Sequence, residues 1–217
     1  MVRAILSKHG LSVSDQNWNL LEQWVEILES ANQRVNLISR SEMPMIWGRH
    51  LLPCLAMLVF RNIPEGIRFC DFGTGGGFPG IPLAICRPDL CVTLLDARQK
   101  RIKIIEEMIR DLDLKNALPV WGRGDKLGKS TEFHQSFSSF SVRAVASLAH
   151  IELWTRDLRT DKALIHVFKG GELESEFRQL RNNCPGVVWE QTLLDFPEYP
   201  FLAENKKFLV TLQFQSN

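Results

Sequence analysis

The glycine-rich segment from Asp71 to Gly80 constrains the fold more than any other feature of the sequence. It reads Asp-Phe-Gly-Thr-Gly-Gly-Gly-Phe-Pro-Gly and lies between an apolar run, Ile67 to Phe72, and a predicted helix over residues 78–87. Glycine has no side chain and accepts positive φ, so this turn lets the backbone approach a ligand closely at a strand end. A glycine-rich turn without a ligand is the alternative.

The spacing of the glycines separates two kinds of ligand. A dinucleotide fingerprint GxGxxG starting at Gly73 requires its third glycine at position 78, where this chain has Phe78. The observed spacing, acidic-x-GxGxG, is the pattern of methyltransferases that use S-adenosylmethionine, which has no pyrophosphate to place at a helix N-terminus. We therefore predict S-adenosylmethionine as the cofactor. A dinucleotide-dependent oxidoreductase is the alternative enzyme.

Short apolar runs alternate with helix-length segments after residue 65, which predicts βαβ units around a parallel sheet. The predicted strands are Ile67 to Phe72, Cys91 to Leu95, Ala117 to Trp121, Phe137 to Val142 and Ala163 to Phe168. The helices between and after them are predicted near 78–87, 98–112, 146–157 and 171–182. Two late runs, 187–194 and 207–214, have no predicted helix between them and are expected to pair antiparallel at one edge. The expected fold is α/β, a Rossmann-like class I methyltransferase sheet, mostly parallel with an antiparallel edge.

The first 64 residues have helical periodicity. Apolar residues recur every three or four positions from a cap near Ser14 to about Asn32, which predicts an amphipathic helix. A second helix is predicted over 41–60, with a kink or break at Pro53. We expect a small N-terminal helical subdomain over 1–64 and a methyltransferase domain over 65–217.

Composition narrows the functional class. The net charge is +1, with 45% hydrophobic and 24% charged residues, so any nucleic-acid contact has to use a local patch. The five cysteines form no CxxC pair, which argues against zinc and disulfides and favours a reducing cytoplasm. The N-terminus has no signal-peptide core and no apolar run is long enough for a bilayer, so we expect a cytoplasmic protein without a membrane or metal partner.

Asp96 ends the second predicted strand, slightly more than 20 residues after the glycine loop. A carboxylate at this position accepts hydrogen bonds from ribose hydroxyls in related sheets. The alternative is that Asp96 only caps the following helix, a position where aspartate is favoured. We predict the ribose contact.

Several pieces of the sequence together resemble the bacterial 16S rRNA guanine-N7 methyltransferases of the RsmG or GidB type. The most specific piece is the loop with its continuation, Asp71 through Leu83. The others, in the family's order and spacing, are Val35 to Ser39, Arg49 to Leu52, Leu94 to Asp96 with Lys100-Arg101, Arg123, Val142 to Ala144 and Phe168 to Gly170.

The resemblance implies roles for particular residues. It implies that Gly73 and Phe78 line the pocket for the methionine and adenosine parts of the cofactor. It also implies that Gly124 and Asp125 lie beside the adenine, and that Arg143 lies at the edge between cofactor and substrate. The chain departs from the family's pattern at 53–54, where Pro-Cys replaces the usual Asp-Ser, and at 124–125, where the family has a small apolar residue and Glu.

The end of the fourth strand, Ser141 to Ala144, carries neither the Asn/Asp-Pro-Pro sequence of amino-group methyltransferases nor a nucleophilic cysteine. Ribose methylation needs a lysine with an acidic partner, and Lys169 keeps that alternative open. Guanine N7 has an in-plane lone pair and no proton, so its methylation needs no general base. No catalytic residue is therefore predicted.

Basic residues near the expected strand ends are candidates for RNA phosphates. We predict RNA contacts for Lys100, Arg101, Arg123 and Lys169. The alternatives are a solvated helix face and, for Arg123 and Arg143, ion pairs with Asp71, Asp96 or Asp125. The expected partner is 16S rRNA or the small ribosomal subunit, bound by a monomer; a ribosome-assembly factor that only retains the fold is the non-enzymatic alternative.

Overall fold

A seven-stranded sheet organises the chain in a computed structural model, which describes residues 1–214. The strands are β1 (Arg68–Phe72), β2 (Cys91–Asp96), β3 (Ala117–Trp121), β4 (Phe137–Arg143), β5 (Arg159–Gly170), β6 (Val187–Leu193) and β7 (Lys207–Phe214). Their order across the sheet is β3-β2-β1-β4-β5-β7-β6. The pairs among β1 to β5 are parallel, and β7 is antiparallel to both β5 and β6. This confirms the predicted α/β sheet with its antiparallel edge.

Nine α-helices accompany the sheet within the described residues. They are α1 (Val2–Lys8), α2 (Asp15–Arg34), α3 (Leu52–Phe60), α4 (Gly80–Cys86), α5 (Gln99–Asp111), α6 (Gly124–Leu127), α7 (Leu148–Thr155), α8 (Glu174–Asn183) and α9 (Phe201–Glu204). The expectation of no helix between the last two strands is wrong, because the one-turn α9 lies there. Strand β5 also begins four residues before its predicted start at Ala163.

The segment 41–60 is not the single helix that its apolar pattern predicts. It consists of a 3-10 turn (Met43–Met45), a π-helical turn (Trp47–Leu51) and then α3. Pro53 lies in the first turn of α3, where its missing N–H costs no intrahelical hydrogen bond. The predicted break at Pro53 is therefore wrong, since the irregularity precedes it.

The helices cover both faces of the sheet. Trp24 and Leu28 of α2 are fully buried in one core with Ile81 of α4 and Ile105 of α5. On the other face, α7 and α8 bury Ile151 and other apolar residues against β4 and β5. The N-terminal helices thus share a core with one face of the sheet. The boundary between residues 64 and 65 remains a prediction, and residues 215–217 of the second predicted unit lie outside the described residues.

Two further facts concern residues 1–214 only. No helix there combines the length and the apolar character needed to cross a bilayer. No three His, Cys, Asp or Glu side chains are grouped in a way that would hold a metal ion.

Candidate active site

The glycine loop follows the carboxyl end of β1 and is tied to β2. The backbone N–H groups of Gly73 and Thr74 donate to Leu95 O at 2.8 and 2.9 Å. Gly73 has φ +77°, a conformation that L side chains rarely adopt. A Cβ at Gly73 would also lie 2.5 Å from Cγ2 of Val145. Both backbone conformation and space therefore require glycine at the position that the sequence predicts for the cofactor.

Asp71, at the end of β1, holds the loop from below. Its carboxylate accepts from the N–H of Gly80 at 3.0 Å and from the hydroxyl of Ser141 at 2.8 Å. The side chain is fully buried, and burial raises the pKa of Asp71 to about 6, although these hydrogen bonds oppose the rise. Asp71 thus joins β1, β4 and the start of α4 beneath the loop.

Asp96 stands at the next strand end and is 5% exposed. Its carboxylate accepts from the N–H of Gly75 at 3.0 Å, from the N–H of Arg98 at 2.8 Å and from the guanidinium of Arg101 at 3.3 Å. The contact with Arg98 fixes the turn that leads into α5. It is not the capping role that was the alternative, because Arg98 is itself the N-cap residue and α5 begins only at Gln99. The contact with Gly75 gives Asp96 a second task, since it fixes the glycine loop.

A cavity of about 330 Å³ opens between the ends of β1, β2, β3 and β4, and we call it the cofactor cavity. Four of the residues predicted to bind the cofactor line it, namely Gly73, Asp96, Gly124 and Asp125. The complete lining is Phe72, Gly73, Leu95, Asp96, Ala97, Arg98, Arg101, Gly122, Arg123, Gly124, Asp125, Ala144, Val145 and Trp154.

The walls of the cofactor cavity fit S-adenosylmethionine. A Cβ at Gly124 would lie 2.2 Å from the ring of Phe72, so the floor beside β3 is as closely packed as the loop at Gly73. Apolar Leu95 and Trp154 offer surface for an adenine, while the Asp96 carboxylate offers acceptors for hydroxyls. A buried acceptor, an apolar slot and close-approach glycines are what a nucleoside joined to an amino acid requires.

Two basic residues predicted to bind RNA line the cofactor cavity, and both form ion pairs with neighbouring carboxylates. Arg101 pairs with Asp96, and Arg123 donates to both oxygens of Asp125 at 3.0 and 3.2 Å. Arg123 thus forms the ion pair that was its alternative, and its hydrogen bond lowers the pKa of the half-buried Asp125 carboxyl. Lys100 is exposed on α5 beside them. Their contact with RNA stays a prediction.

Arg143 and Phe78, both predicted at the cofactor, lie outside the lining of the cofactor cavity. The guanidinium of Arg143 donates to His50 O at 3.1 Å and to His50 Nδ1 at 2.9 Å, and its second nitrogen reaches Arg49 O at 3.4 Å. It lies 5.5 Å from the ring of Phe78, which packs edge-on against Trp24. In the described part of the chain no carboxylate pairs with Arg143. Their direct contact with the cofactor remains a prediction.

The π-helical turn provides the acceptors for the N–H groups of Arg143. A π turn leaves carbonyl groups outside the regular α-helical pattern, and here those of Arg49 and His50 accept from Arg143. Because Nδ1 of His50 faces Arg143, the ring is the neutral tautomer that donates from Nε2 to Glu42 at 3.3 Å. Burial and the neighbouring Arg143 charge lower the pKa of His50 to about 4.

A second cavity, of about 590 Å³, lies on the other side of Ala144, and we call it the acceptor cavity. Ala144 lines both cavities, in a left-handed conformation with φ +53°. The acceptor cavity is lined by Glu42, Arg49, His50, Pro53, Arg143, Ala144, Phe168, Lys169, Gly170, Glu176, Leu194, Phe201, Leu202, Asn205, Lys207 and Phe208. Cationic, acidic and aromatic side chains therefore converge next to the cofactor cavity.

The sequence identifies only part of the acceptor cavity. Lys169 was predicted, and it pairs with Glu176 at 2.7 Å. Glu42, Glu176, Phe201 and Lys207 were not predicted, because they come from segments far apart and belong to no local motif. The guanidinium of Arg49 lies 4.2 Å from the ring centre of Phe201, a contact between the π turn and the one-turn helix α9.

Comparison with known proteins identifies relatives over most of the chain. The sequence profile of the family described as rRNA small subunit methyltransferase G matches residues 17–195. Ribosomal RNA small subunit methyltransferase G of Salmonella arizonae is 35% identical over 179 residues, which are 82% of this chain and 83% of that protein. The protein of the same name from Chlorobium limicola is 34% identical over 209 residues, 93% of this chain and 91% of its own length.

Solved structures resemble the fold at much lower identity. A SAM-dependent methyltransferase from Aquifex aeolicus has a TM-score of 0.57 and 13% identity, covering 79% of this chain and 93% of its own. Fibrillarin from Aeropyrum pernix, solved with bound S-adenosyl-L-methionine, also has a TM-score of 0.57, with 14% identity, 74% of this chain and 73% of its own. These likenesses establish the class of fold.

Proposed function

This chain belongs to the rRNA small subunit methyltransferase G family, and from that premise we propose that it methylates N7 of a guanine in 16S ribosomal RNA. It is an S-adenosylmethionine-dependent methyltransferase. The dinucleotide-dependent oxidoreductase is thereby set aside. The nucleotide that accepts the methyl group, the form of the RNA substrate and the predicted cytoplasmic location and monomeric state belong to the proposal.

The observation that carries the proposal is the junction of two unlike cavities at Ala144. The cofactor cavity would hold S-adenosylmethionine through backbone groups of the loop at Gly73, through Asp96 and through the turn at Gly124. The bound cofactor supplies a methyl group on a positively charged sulfur, which is open to attack by a lone pair. The acceptor cavity is large enough for a flipped-out nucleotide and has cations for its phosphate.

The chain's own residues supply alignment instead of proton transfer. N7 of guanine carries no proton, so no side chain has to act as a base. His50 lies at the acceptor cavity, but its lowered pKa and its hydrogen bond from Arg143 make it a neutral positioning residue. The buried core beneath Asp71 and Phe72 keeps the two cavities in fixed relation, which is what an in-line displacement requires.

The test is to map N7-methylguanine in small-subunit RNA from cells with and without this gene. We expect one guanine to lose the modification in the deleted strain and to regain it when the gene is restored. Restoration by a Gly73→Val variant, which blocks the cofactor loop, would support the assembly-factor alternative instead. An unchanged methylation map would contradict the proposal.

A further inference from the structure

Lys169 and Glu176 form a fixed pair on the wall of the acceptor cavity. The Lys169 ammonium donates to Oε2 of Glu176 at 2.7 Å and to the carbonyl of Ala146 at 2.7 Å. The same Oε2 accepts from the N–H of Leu148 at 2.9 Å, at the start of α7. The side chains are only 14% and 26% exposed, so both charged ends are held by the protein while still lining the cavity.

The pair has hydrogen-bonding capacity left for a ligand. An ammonium has three N–H groups, and two of those of Lys169 are used by Ala146 and Glu176. Oε2 of Glu176 has two protein donors, whereas no donor among residues 1–214 reaches its Oε1. One free donor therefore lies beside one free acceptor.

Among the two purine bases of RNA, this arrangement matches guanine. The Watson–Crick edge of guanine presents the O6 acceptor beside the N1–H and N2 amino donors, while that of adenine presents an amino donor beside the N1 acceptor. We propose that Lys169 and Glu176 select guanine, with the third N–H of Lys169 donating to O6 and the free Oε1 of Glu176 accepting from both N1–H and the N2 amino group. This inference rests on the proposed function. It leaves N7, on another edge of the base, free for methylation.

The position of the pair agrees with this role. Ala146, which Lys169 holds, lies two residues after Ala144 and directly follows Val145, and both of these line the cofactor cavity. A base on this pair would thus lie at the junction of the two cavities. The other carboxylate in the acceptor cavity, Glu42, is already engaged on both oxygens, by Arg49 at 2.8 Å and by His50 at 3.3 Å.

Glu176 also has a structural task, because it caps α7 and pairs with Lys169. The discriminating variant is Glu176→Gln, whose remaining carbonyl oxygen still accepts from Leu148 and Lys169. Its amide NH₂ replaces the free oxygen and opposes the donors of guanine. Glu174→Gln is the matched control, since Glu174 lies exposed in the same first turn of α8.

The experiment titrates the protein, saturated with S-adenosylhomocysteine, with GMP, IMP and AMP. IMP keeps O6 and N1–H but lacks the N2 amino group, and all three carry the same phosphate. We expect the wild type to bind GMP more tightly than IMP, and IMP more tightly than AMP. Glu176→Gln should weaken GMP binding by about 5- to 150-fold and bring the GMP to IMP ratio close to one. Glu174→Gln should behave as the wild type.

Three results would overturn the inference. They are a wild type that binds GMP no better than IMP, a Glu176→Gln variant that keeps the wild-type GMP to IMP ratio, and a variant that weakens all three nucleotides equally. The first needs no variant, so the inference stays testable if Glu176→Gln does not fold. Methylation of small subunits by the wild type is measured alongside. If a guanine N7 is still methylated there, the proposed function survives the loss of this inference.

Discussion

The cofactor cavity and the acceptor cavity meet at Ala144, yet they are built from different materials. The cofactor cavity is formed largely by backbone turns at the ends of β1, β2, β3 and β4, with glycines where side chains would collide. The acceptor cavity is formed by charged and aromatic side chains from residues 42–53, the ends of β4 and β5, α8 and the segment 194–208. The backbone geometry of a turn is determined by residues that are adjacent in sequence. The set of side chains that line the acceptor cavity is determined by the whole fold, because those residues are far apart in sequence.

Substitutions in the two cavities should therefore have different effects. A change at the cofactor cavity should alter the fit of a small molecule, because space and positive φ are the limiting quantities there. A change at the acceptor cavity should alter charge or hydrogen bonding, and a change of a cation beside the cofactor cavity should alter salt dependence.

The largest effect is expected for Gly73→Ala. The added Cβ would lie 2.5 Å from Val145, and the residue would have to keep φ +77°. We expect cofactor affinity to fall by more than about 100-fold. The free loop would relax to relieve the collision and a strain of about 1–3 kcal/mol, and cofactor binding would have to restore both. Isothermal titration with S-adenosylmethionine measures the loss.

Gly10→Ala is the matched control for Gly73→Ala. Gly10 has φ +89°, with nothing within 4 Å of its would-be Cβ, so an alanine there carries a similar backbone strain outside the lining of both cavities. It should lower the free energy of unfolding by about 1–3 kcal/mol and leave cofactor affinity unchanged. Wild-type affinity in a folded Gly73→Ala variant would show that the loop does not hold the cofactor.

The next effect is expected for Asp96→Ala. We expect about 10- to 150-fold weaker binding of both S-adenosylmethionine and S-adenosylhomocysteine, since a hydrogen bond to a charged group contributes ~1.5–3 kcal/mol. The two ligands share the ribose, so both should weaken by the same factor in parallel titrations. Unchanged affinity together with a lower melting temperature would leave Asp96 only its contacts with Gly75 and Arg98.

The two regions should respond to pH with opposite signs. The pKa of His50 is lowered from 6.5 to about 4, so the unfolded chain binds the proton more tightly and stability is lost as pH falls from 6.5 to about 4. The pKa of Asp71 is raised from 3.8 to about 6, so the folded chain binds the proton more tightly and stability is lost as pH rises from 3.8 to about 6.

Variants that remove these two titratable groups should therefore change the pH dependence of the unfolding free energy in opposite directions. Between pH 4 and 6, His50→Gln should lower the slope of unfolding free energy against pH, and Asp71→Asn should raise it, each by up to ~1.4 kcal/mol per pH unit. Urea unfolding at four pH values measures both slopes against the wild type. Slopes that change in the same direction would refute the assignment.

The smallest effect is expected at the surface. Lys100→Ala should lower the slope of log affinity for small subunits against log salt by about 0.7–0.9, which is the value of one phosphate contact. Arg123→Ala should lower the slope less, because Asp125 already pairs with that guanidinium. Replacing Lys100, Arg101 and Arg123 together by alanine should then lower the salt slope by less than the roughly two units expected for three unpaired cations.

Lys115→Ala is the control for the salt experiment. Lys115 is exposed just before β3, so it lies at the amino ends of the parallel strands, opposite the carboxyl ends that border the cofactor cavity. If Lys100→Ala leaves the salt slope unchanged, Lys100 does not contact RNA, and the RNA-binding surface should then be sought among the cations around the π turn.

The features that the sequence predicts belong mainly to the cofactor cavity, and those that it misses belong mainly to the acceptor cavity. The parallel strands and the glycine loop could be predicted because short apolar runs and the acidic-x-GxGxG spacing are local patterns. The π turn before Pro53 could not, since its carbonyls are satisfied by Arg143, 93 residues away in sequence for His50. Glu176 was missed for the same reason, because its partners Lys169 and Leu148 belong to β5 and α7.

The division between the two cavities is tested most directly by a crystal structure of the chain with S-adenosylhomocysteine and GMP. The account predicts the adenosyl group in the cofactor cavity with its ribose on Asp96, and the guanine in the acceptor cavity with its Watson–Crick edge on Lys169 and Glu176. N7 should then point across Ala144 at the cofactor sulfur. A guanine bound elsewhere, or with N7 turned away from that sulfur, would contradict it.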